Sequence, residues 1–276
     1  MISTAYAKVI VAGEHSVLRN GHALVVPLKK NKLIAMYKKQ DFLSVKCEGA
    51  NTFVGIEDHW LSFIKQAYSN CSSNKLTGEW GLQINIPIGI GLGFSAALSV
   101  VVAKMFANLG YIKEEEVFEF AHGLEKPIHG KSSGCDIAGS MSENAIMYNI
   151  GSKSEQLFWC PTLAWSTPCS SSSTIDSIAH VENIGDPAID ISMNKAVVMA
   201  YDAWQKQNID LLGESITLAS KCFYDWGLVP EVMDTHIKIL KKAGALAVKP
   251  TGAGGGGSVL SLWSSKINME GLNWII

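Results

Sequence analysis

Four short stretches carry residues whose types and spacing suit chemistry. In "PIGIGLGFSA" (Pro87 to Ala96), glycines at 89, 91 and 93 precede Ser95. Glycine permits torsions that side chains forbid, so successive amides can turn inward as an anion-binding nest. A helix opening near Ser95 would add the positive end of its dipole, and the Ser95 hydroxyl can cap that helix or meet a metal ion. Such a loop suits a di- or triphosphate. The plainer reading is a tight strand-to-helix turn whose glycines serve packing. "KPTGAGGGGS" (Lys249 to Ser258) holds five glycines among the seven residues 251–257, at a large conformational-entropy cost. Strand-like runs flank it closely, so another chain segment or a ligand must approach that backbone.

The other two stretches carry the titratable groups. "LEKPIHGKSSGCD" (Leu124 to Asp136) brings Glu125, His129 and Asp136 around a turn rich in Gly and Ser; an ordinary loop with solvent-facing charges is the alternative. "AKVIVAGEHSV" sets Lys8 on a strand, with Glu14 and His15 after Gly13. A lysine inside an apolar strand usually faces water. A dinucleotide turn fits less well: "GLGFSA" has the glycine spacing, but the acidic residue expected some 20 positions later is missing. No lysine stands where a Walker-type loop requires one.

The elements that must position these residues alternate in type. Strands are expected over Tyr6–Ala12, His22–Leu28, Lys32–Tyr37, 82–86 and Ile146–Asn149. Helices are expected over Glu57–Cys71, Ser95 to about Leu109, and Lys113–Leu124. "STPCSSSST" (Ser166 to Thr174) reads as a linker or mobile loop, with 167–173 a flap over a substrate or a plain surface loop. Helices over roughly 187–206, 208–224 and 230–243 follow, then strand, glycine loop, strand. Antiparallel-looking strands with clustered helices argue α+β rather than a doubly wound sheet.

Composition narrows the classes. The 276 residues are 47% apolar and 17% charged, with a net charge of −2, a globular balance that suggests neither a nucleic-acid scaffold nor a basic membrane-surface protein. No charge occurs from Trp80 through Ala103, long enough to span a bilayer. Pro87 and the glycines interrupt it, and "GLQINIP" alternates like a strand, so strand, loop and buried helix is the better reading. The six scattered cysteines form no C-x-x-C pair and read as free thiols in a reducing compartment. The N-terminus lacks the pattern of a secretion signal, and the expected location is cytoplasmic.

Taken together, these stretches resemble the GHMP kinases, the family of galactokinase, homoserine kinase, mevalonate kinase and phosphomevalonate kinase. "KVIVAGEHSVLRNGHALVVPL", "PIGIGLGFSAALS" and "KPTGAGGGGS" match its three motifs in order. Within the family, "GEHSVL" and "EKPIHGKSSGCD" are most similar to the mevalonate kinase patterns. The resemblance implies an α+β two-domain fold with mixed β-sheets and packed helices. Residues 1–165 would form a nucleotide-binding domain like ribosomal protein S5 domain 2, and 166–276 the C-terminal domain. It implies ATP bound through Pro87, Gly89, Gly91, Leu92, Gly93, Phe94, Ser95 and Ala96, with Gly252, Gly254 and Gly255 nearby. Mg²⁺ would be held by Ser95 and Glu125. Asp136 would receive or orient the acceptor's hydroxyl proton, with Lys8 beside it stabilising the transferring phosphoryl. Glu14, His15, Asp136, Gly252 and Ala253 would lie on the substrate side.

The implied reaction is in-line phosphoryl transfer to the primary hydroxyl of mevalonate or a similar hydroxy acid. A phosphorylated acceptor such as phosphomevalonate, or a non-catalytic nucleotide-binding member, are the alternatives. A phosphorylated acceptor should demand extra cations, for which Lys29, Lys30, Lys126 and Lys131 are candidates. The expected partner is this small-molecule substrate, with no nucleic acid or membrane; a homodimer is the assembly entertained. The chain departs from the family pattern at Phe94, which replaces the first of two serines, and at Ile137, where asparagine is usual. Asn20 and His22 replace the usual Gly and Pro of the first motif.

Overall fold

The computed structural model describes residues 1–19, 21–49, 52, 54–129 and 132–275, without the side chains of 127–129. Ten strands and eight α-helices are formed among these residues. The first sheet has six strands: β1 (Ile2–Ala12), β2 (His22–Lys38), β3 (Leu43–Glu48), β4 (Gly78–Ile84), β5 (Ala145–Asn149) and β6 (Glu155–Leu157). Its order is β3-β4-β2-β5-β6, with β1 paired antiparallel to β2. The two strand runs expected over 22–37 are one long strand. Its register with β1 jumps from Ala7↔Leu28 to Tyr6↔Lys32, so polar Lys29–Asn31 are accommodated by a bulge rather than a break. Only the β3–β4 pairing is parallel, which makes the sheet mixed.

The second sheet runs β10 (Asn273–Trp274), β7 (Leu163–Ser166), β9 (Val259–Leu262), β8 (Ala247–Pro250). Three helices reach the site from the first half: α2 (Phe94–Asn108), α3 (Val117–His129) and α4 (Cys135–Met141). The charge-free run is thus β4, a glycine loop and a helix buried continuously over Ala96–Ala103. No described helix is long and apolar enough to cross a membrane.

Further along come α5 (Thr174–Ile184), α6 (Pro187–Lys206), α7 (Ile209–Asp225) and α8 (Glu231–Lys242). Side-chain caps set three of their starts: Ser173 accepts from the Asp176 amide, Asp186 from Ala188 and Asn208 from Leu211. One apolar core joins Val9, Leu33, Trp80 and Val101 to Trp204, Ile216 and Leu260, so α7 and the second sheet pack on the same interior as β1. α4 and α5 are not expected from the sequence: they begin at the ends of the turn-rich stretch and of the serine-rich linker, at Cys135 and Thr174. α4 is seven residues long and opens at Gly134 in a left-handed conformation, too short for periodicity to reveal.

Candidate active site

β1 is buried from Ala7 to Ala12 because helices cover it on both sides. Lys8 therefore does not face water: its side chain is 2% exposed and its Nζ lies 2.9 Å from Asp136 Oδ2. Two glycines make room for its stem. A Cβ on Gly93 would stand 2.8 Å from Lys8 Cε, and one on Gly139 of α4 would stand 3.3 Å from Lys8 Cβ. Burial disfavours the Lys8 ammonium, but the charge and hydrogen bond of Asp136 outweigh it and hold its pKa above the ordinary value.

Glu125, on α3, is buried and accepts a 2.7 Å hydrogen bond from Ser132 Oγ. Burial first, and the neighbouring Asp136 carboxylate second, push its pKa up to about 7. At that value the site favours a proton, or a cation, beside Glu125. Ser95 sits in the first turn of α2, after Gly93 in the left-handed N-cap position (φ 78°, ψ 36°).

Glu14 and Lys249 form a second ion pair, here with both side chains buried, through Glu14 Oε1. Lys249 also donates to the Ile10 carbonyl at 3.2 Å, and Thr251 Oγ1 accepts from the Ile10 amide at 3.0 Å. Strand β8 is thereby locked to β1. Burial pushes the Glu14 pKa up and that of Lys249 down, and each partner's charge opposes the shift. His15 has a left-handed backbone (φ 60°) and stacks edge-on against Trp226, with ring centroids 5.1 Å apart. Burial lowers its pKa to about 4, so the ring is neutral near pH 7. Its Nε2 lies 2.9 Å from the Ala253 carbonyl. A carbonyl only accepts, so Nε2 carries the proton and Nδ1 is left as an acceptor.

The two glycine loops meet. Ser258 donates through its amide (3.0 Å) and its hydroxyl (2.8 Å) to the Ile90 carbonyl. A Cβ on Gly252 would lie 3.1 Å from Gly91 O. A cavity of about 300 Å³ opens where they converge. Lys8, Glu14, His15, Pro87, Gly89, Gly91, Leu92, Gly93, Phe94, Ser95, Glu125, Asp136, Gly252 and Ala253 all line it. Ala96, Gly254 and Gly255 do not: Ala96 is fully buried within α2. The Cβ positions of Gly254 and Gly255 point at Phe223 and Leu228 and at Ser172. Lys131 and Asn20 lie outside the described residues, as does the side chain of His129. The sequence reading missed Lys249, whose motif offered only glycines as a signal. It also missed Ser132 and Ser171, for which serine-rich composition was the sole hint.

Two glycine loops meeting at a helix start, a buried lysine paired with a carboxylate and a further buried carboxylate suit a polyphosphate-dependent group transfer. Family comparison agrees. Residues 62–144 match "GHMP kinases N terminal domain" and 200–267 match "GHMP kinases C terminal". The chain belongs to the GHMP kinases, a family of ATP-dependent small-molecule kinases. It is 26% identical over 273 residues to a mevalonate kinase of Archaeoglobus fulgidus, covering 96% of this chain and 93% of that relative. The crystal structure of L. major mevalonate kinase in complex with R-mevalonate superposes with a TM-score of 0.80 at 20% identity, over 96% of this chain and 88% of that one. Streptococcus pneumoniae phosphomevalonate kinase, in complex with phosphomevalonate and AMPPNP, gives 0.78 at 14%, over 96% and 93%. At these identities the two structures share the fold.

Proposed function

We propose that the protein transfers the γ-phosphoryl group of ATP to the primary hydroxyl of mevalonate, giving 5-phosphomevalonate and ADP. The observation that carries this is the Lys8–Asp136 pair, 2.9 Å apart, on the wall of the cavity where both glycine loops converge. Phosphoryl transfer needs positioning and charge neutralisation more than covalent chemistry. The amides at the start of α2 and the loop of residues 89–95 hold the polyphosphate. Asp136 orients the acceptor hydroxyl and takes its proton as charge builds on that oxygen. Lys8, buried and cationic, faces the charge developing on the transferring group.

The donor set fits Mg²⁺. Glu125 and Ser95 offer hard oxygens, and Glu125 at about 7 gains when a cation replaces its proton. No group of three or more His, Cys, Asp or Glu side chains able to hold a metal occurs among the described residues, in keeping with an ion that keeps water and phosphate oxygens as ligands. When bound, Mg²⁺ would neutralise the β- and γ-phosphate oxygens.

Among the described residues, Lys8 is the one Lys or Arg on the cavity wall. Lys29, Lys30 and Lys126 are exposed and off it, which favours an unphosphorylated acceptor over phosphomevalonate. The two separate sheets support a division near 1–165 and 166–276, and because β7 pairs with β9 in the second sheet they move the seam ahead of Leu163. Six free cysteines support a cytoplasmic setting. The test is ADP release from purified protein with Mg-ATP and mevalonate, phosphomevalonate, homoserine or galactose in turn. Turnover with mevalonate above the others is expected; preference for another acceptor, or none, overturns the assignment.

A further inference from the structure

The serine-rich segment that reads as a linker or flap is anchored at both glycine loops. The Ser171 amide (3.1 Å) and hydroxyl (2.8 Å) both donate to the Gly89 carbonyl. The Ser170 carbonyl accepts from the Gly257 amide at 3.1 Å, and Ser172 Oγ donates to the Gly254 carbonyl at 2.7 Å. Thr167 Oγ1 lies 2.9 Å from Ser258 Oγ, which itself donates to the Ile90 carbonyl.

These contacts account for glycines that the nucleotide leaves unexplained. A Cβ at Gly255 would stand 2.5 Å from Ser172 Oγ, and one at Gly256 2.4 Å from the Ser170 carbonyl. At Gly256 the contact is with backbone and leaves no room for a side chain, so the serine segment passing over it requires glycine; at Gly255 the Ser172 hydroxyl could rotate, and its φ of +70° is what favours glycine.

The same contacts orient the first loop. The carbonyls of Gly89, Ile90 and Leu92 are held by Ser171, Ser258 and the Lys8 amide respectively. A trans peptide is planar, with C=O and N–H pointing opposite ways. Tying each carbonyl therefore sets the direction of the next amide, those of Ile90, Gly91 and Gly93. None of these three amides donates to another described backbone or side-chain group.

We propose that residues 170–172 form a clasp and that Ser171 is a positioning residue for the phosphoryl donor. By fixing the Gly89–Ile90 peptide, it keeps the amides of the 89–93 loop directed for a polyphosphate. This rests on reading that loop as the ATP site, and it places the segment's role on the nucleotide side rather than over the acceptor.

The test compares Ser171→Ala, which deletes the hydroxyl donor, Ser171→Pro, which deletes both donors, and Ser171→Thr, which keeps both. Kd for Mg-ATP is measured without acceptor, then both KM values and the thermal midpoint. One neutral hydrogen bond is worth about fivefold. Ser171→Ala should weaken ATP about three- to tenfold and Ser171→Pro more, with the acceptor KM within twofold and Ser171→Thr close to wild type. If Ser171→Pro does not fold, the Ala and Thr pair decides. Unchanged ATP affinity in Ser171→Ala, with or without a lowered midpoint, overturns the proposal, as does a rise in the acceptor KM alone. Wild-type protein that binds no Mg-ATP overturns the ATP-site reading and the clasp together; wild-type binding with an unaffected variant overturns the clasp only.

Discussion

Replacing Lys249 by methionine tests how the two halves of the site are joined. The Lys249 side chain is 0% exposed and that of Glu14 2%. The ammonium has three anchors: Glu14 Oε1, the Ile10 carbonyl at 3.2 Å, and the Phe223 ring, whose centroid is 5.0 Å away. Methionine nearly keeps the volume and removes the charge. Among the described residues Glu14 Oε2 already has no hydrogen-bond partner, so Lys249→Met strands the whole carboxylate in the interior. Breaking a buried pair from one side costs about 3–5 kcal/mol. At roughly 2–4 °C per kcal/mol for a domain near this size, the thermal midpoint should fall by about 6–20 °C. The double variant Lys249→Met/Glu14→Gln removes the stranded charge and should recover more than half of that loss.

The pH dependence carries a sign. The Glu14 pKa is already raised by burial, and losing Lys249 raises it further. A carboxyl with a raised folded-state pKa stabilises below its unfolded pKa and loses that contribution as pH rises through the folded value. The gap between Lys249→Met and wild type should therefore narrow on acidification towards pH 5. Thermal melts followed by circular dichroism, with all three proteins across that range, are the assay. A loss below about 1 kcal/mol in the single variant, or a double variant less stable than the single, would refute the reasoning.

Three further outcomes are expected. Asp136→Asn should lower kcat by about 10²–10⁴ while ATP binding persists; near-normal turnover by stopped-flow or steady-state assay removes Asp136 from its role. Gly93→Ala places a Cβ 2.8 Å from Lys8 Cε at a φ of +78°, so it should cost about 1 kcal/mol in strain and lower kcat/KM for ATP at least tenfold by displacing Lys8; unchanged kinetics would count against the packing argument. Glu125, raised from 4.5 to about 7, stabilises the nucleotide- and metal-free protein below about 4.5 and loses that contribution as pH rises through about 7, so the midpoint of wild type relative to Glu125→Gln should fall over that interval; a flat difference refutes the shift.

Much of this molecule is legible along the chain because its signals are local. The alternating glycines of 89–93 and the run at 252–257 mark their loops, and Asp186–Pro187 opens α6 by its own capping chemistry. The motifs carry Lys8, Glu14, Ser95, Glu125 and Asp136 in the right order, and all of them line the cavity. What the chain alone left open depends on contacts between residues far apart in it. Lys8 turns inward only because helices cover both faces of β1 and Gly93 and Gly139 clear its stem. Lys249 reaches Glu14 across 235 positions. Ser171 grips Gly89 across 82, in a segment whose serines and proline read as slack chain. Composition and periodicity report the torsions a segment prefers by itself, over a few neighbouring residues. Which polar groups are withdrawn from water, and which partners compensate them there, is decided by the packing of the whole chain.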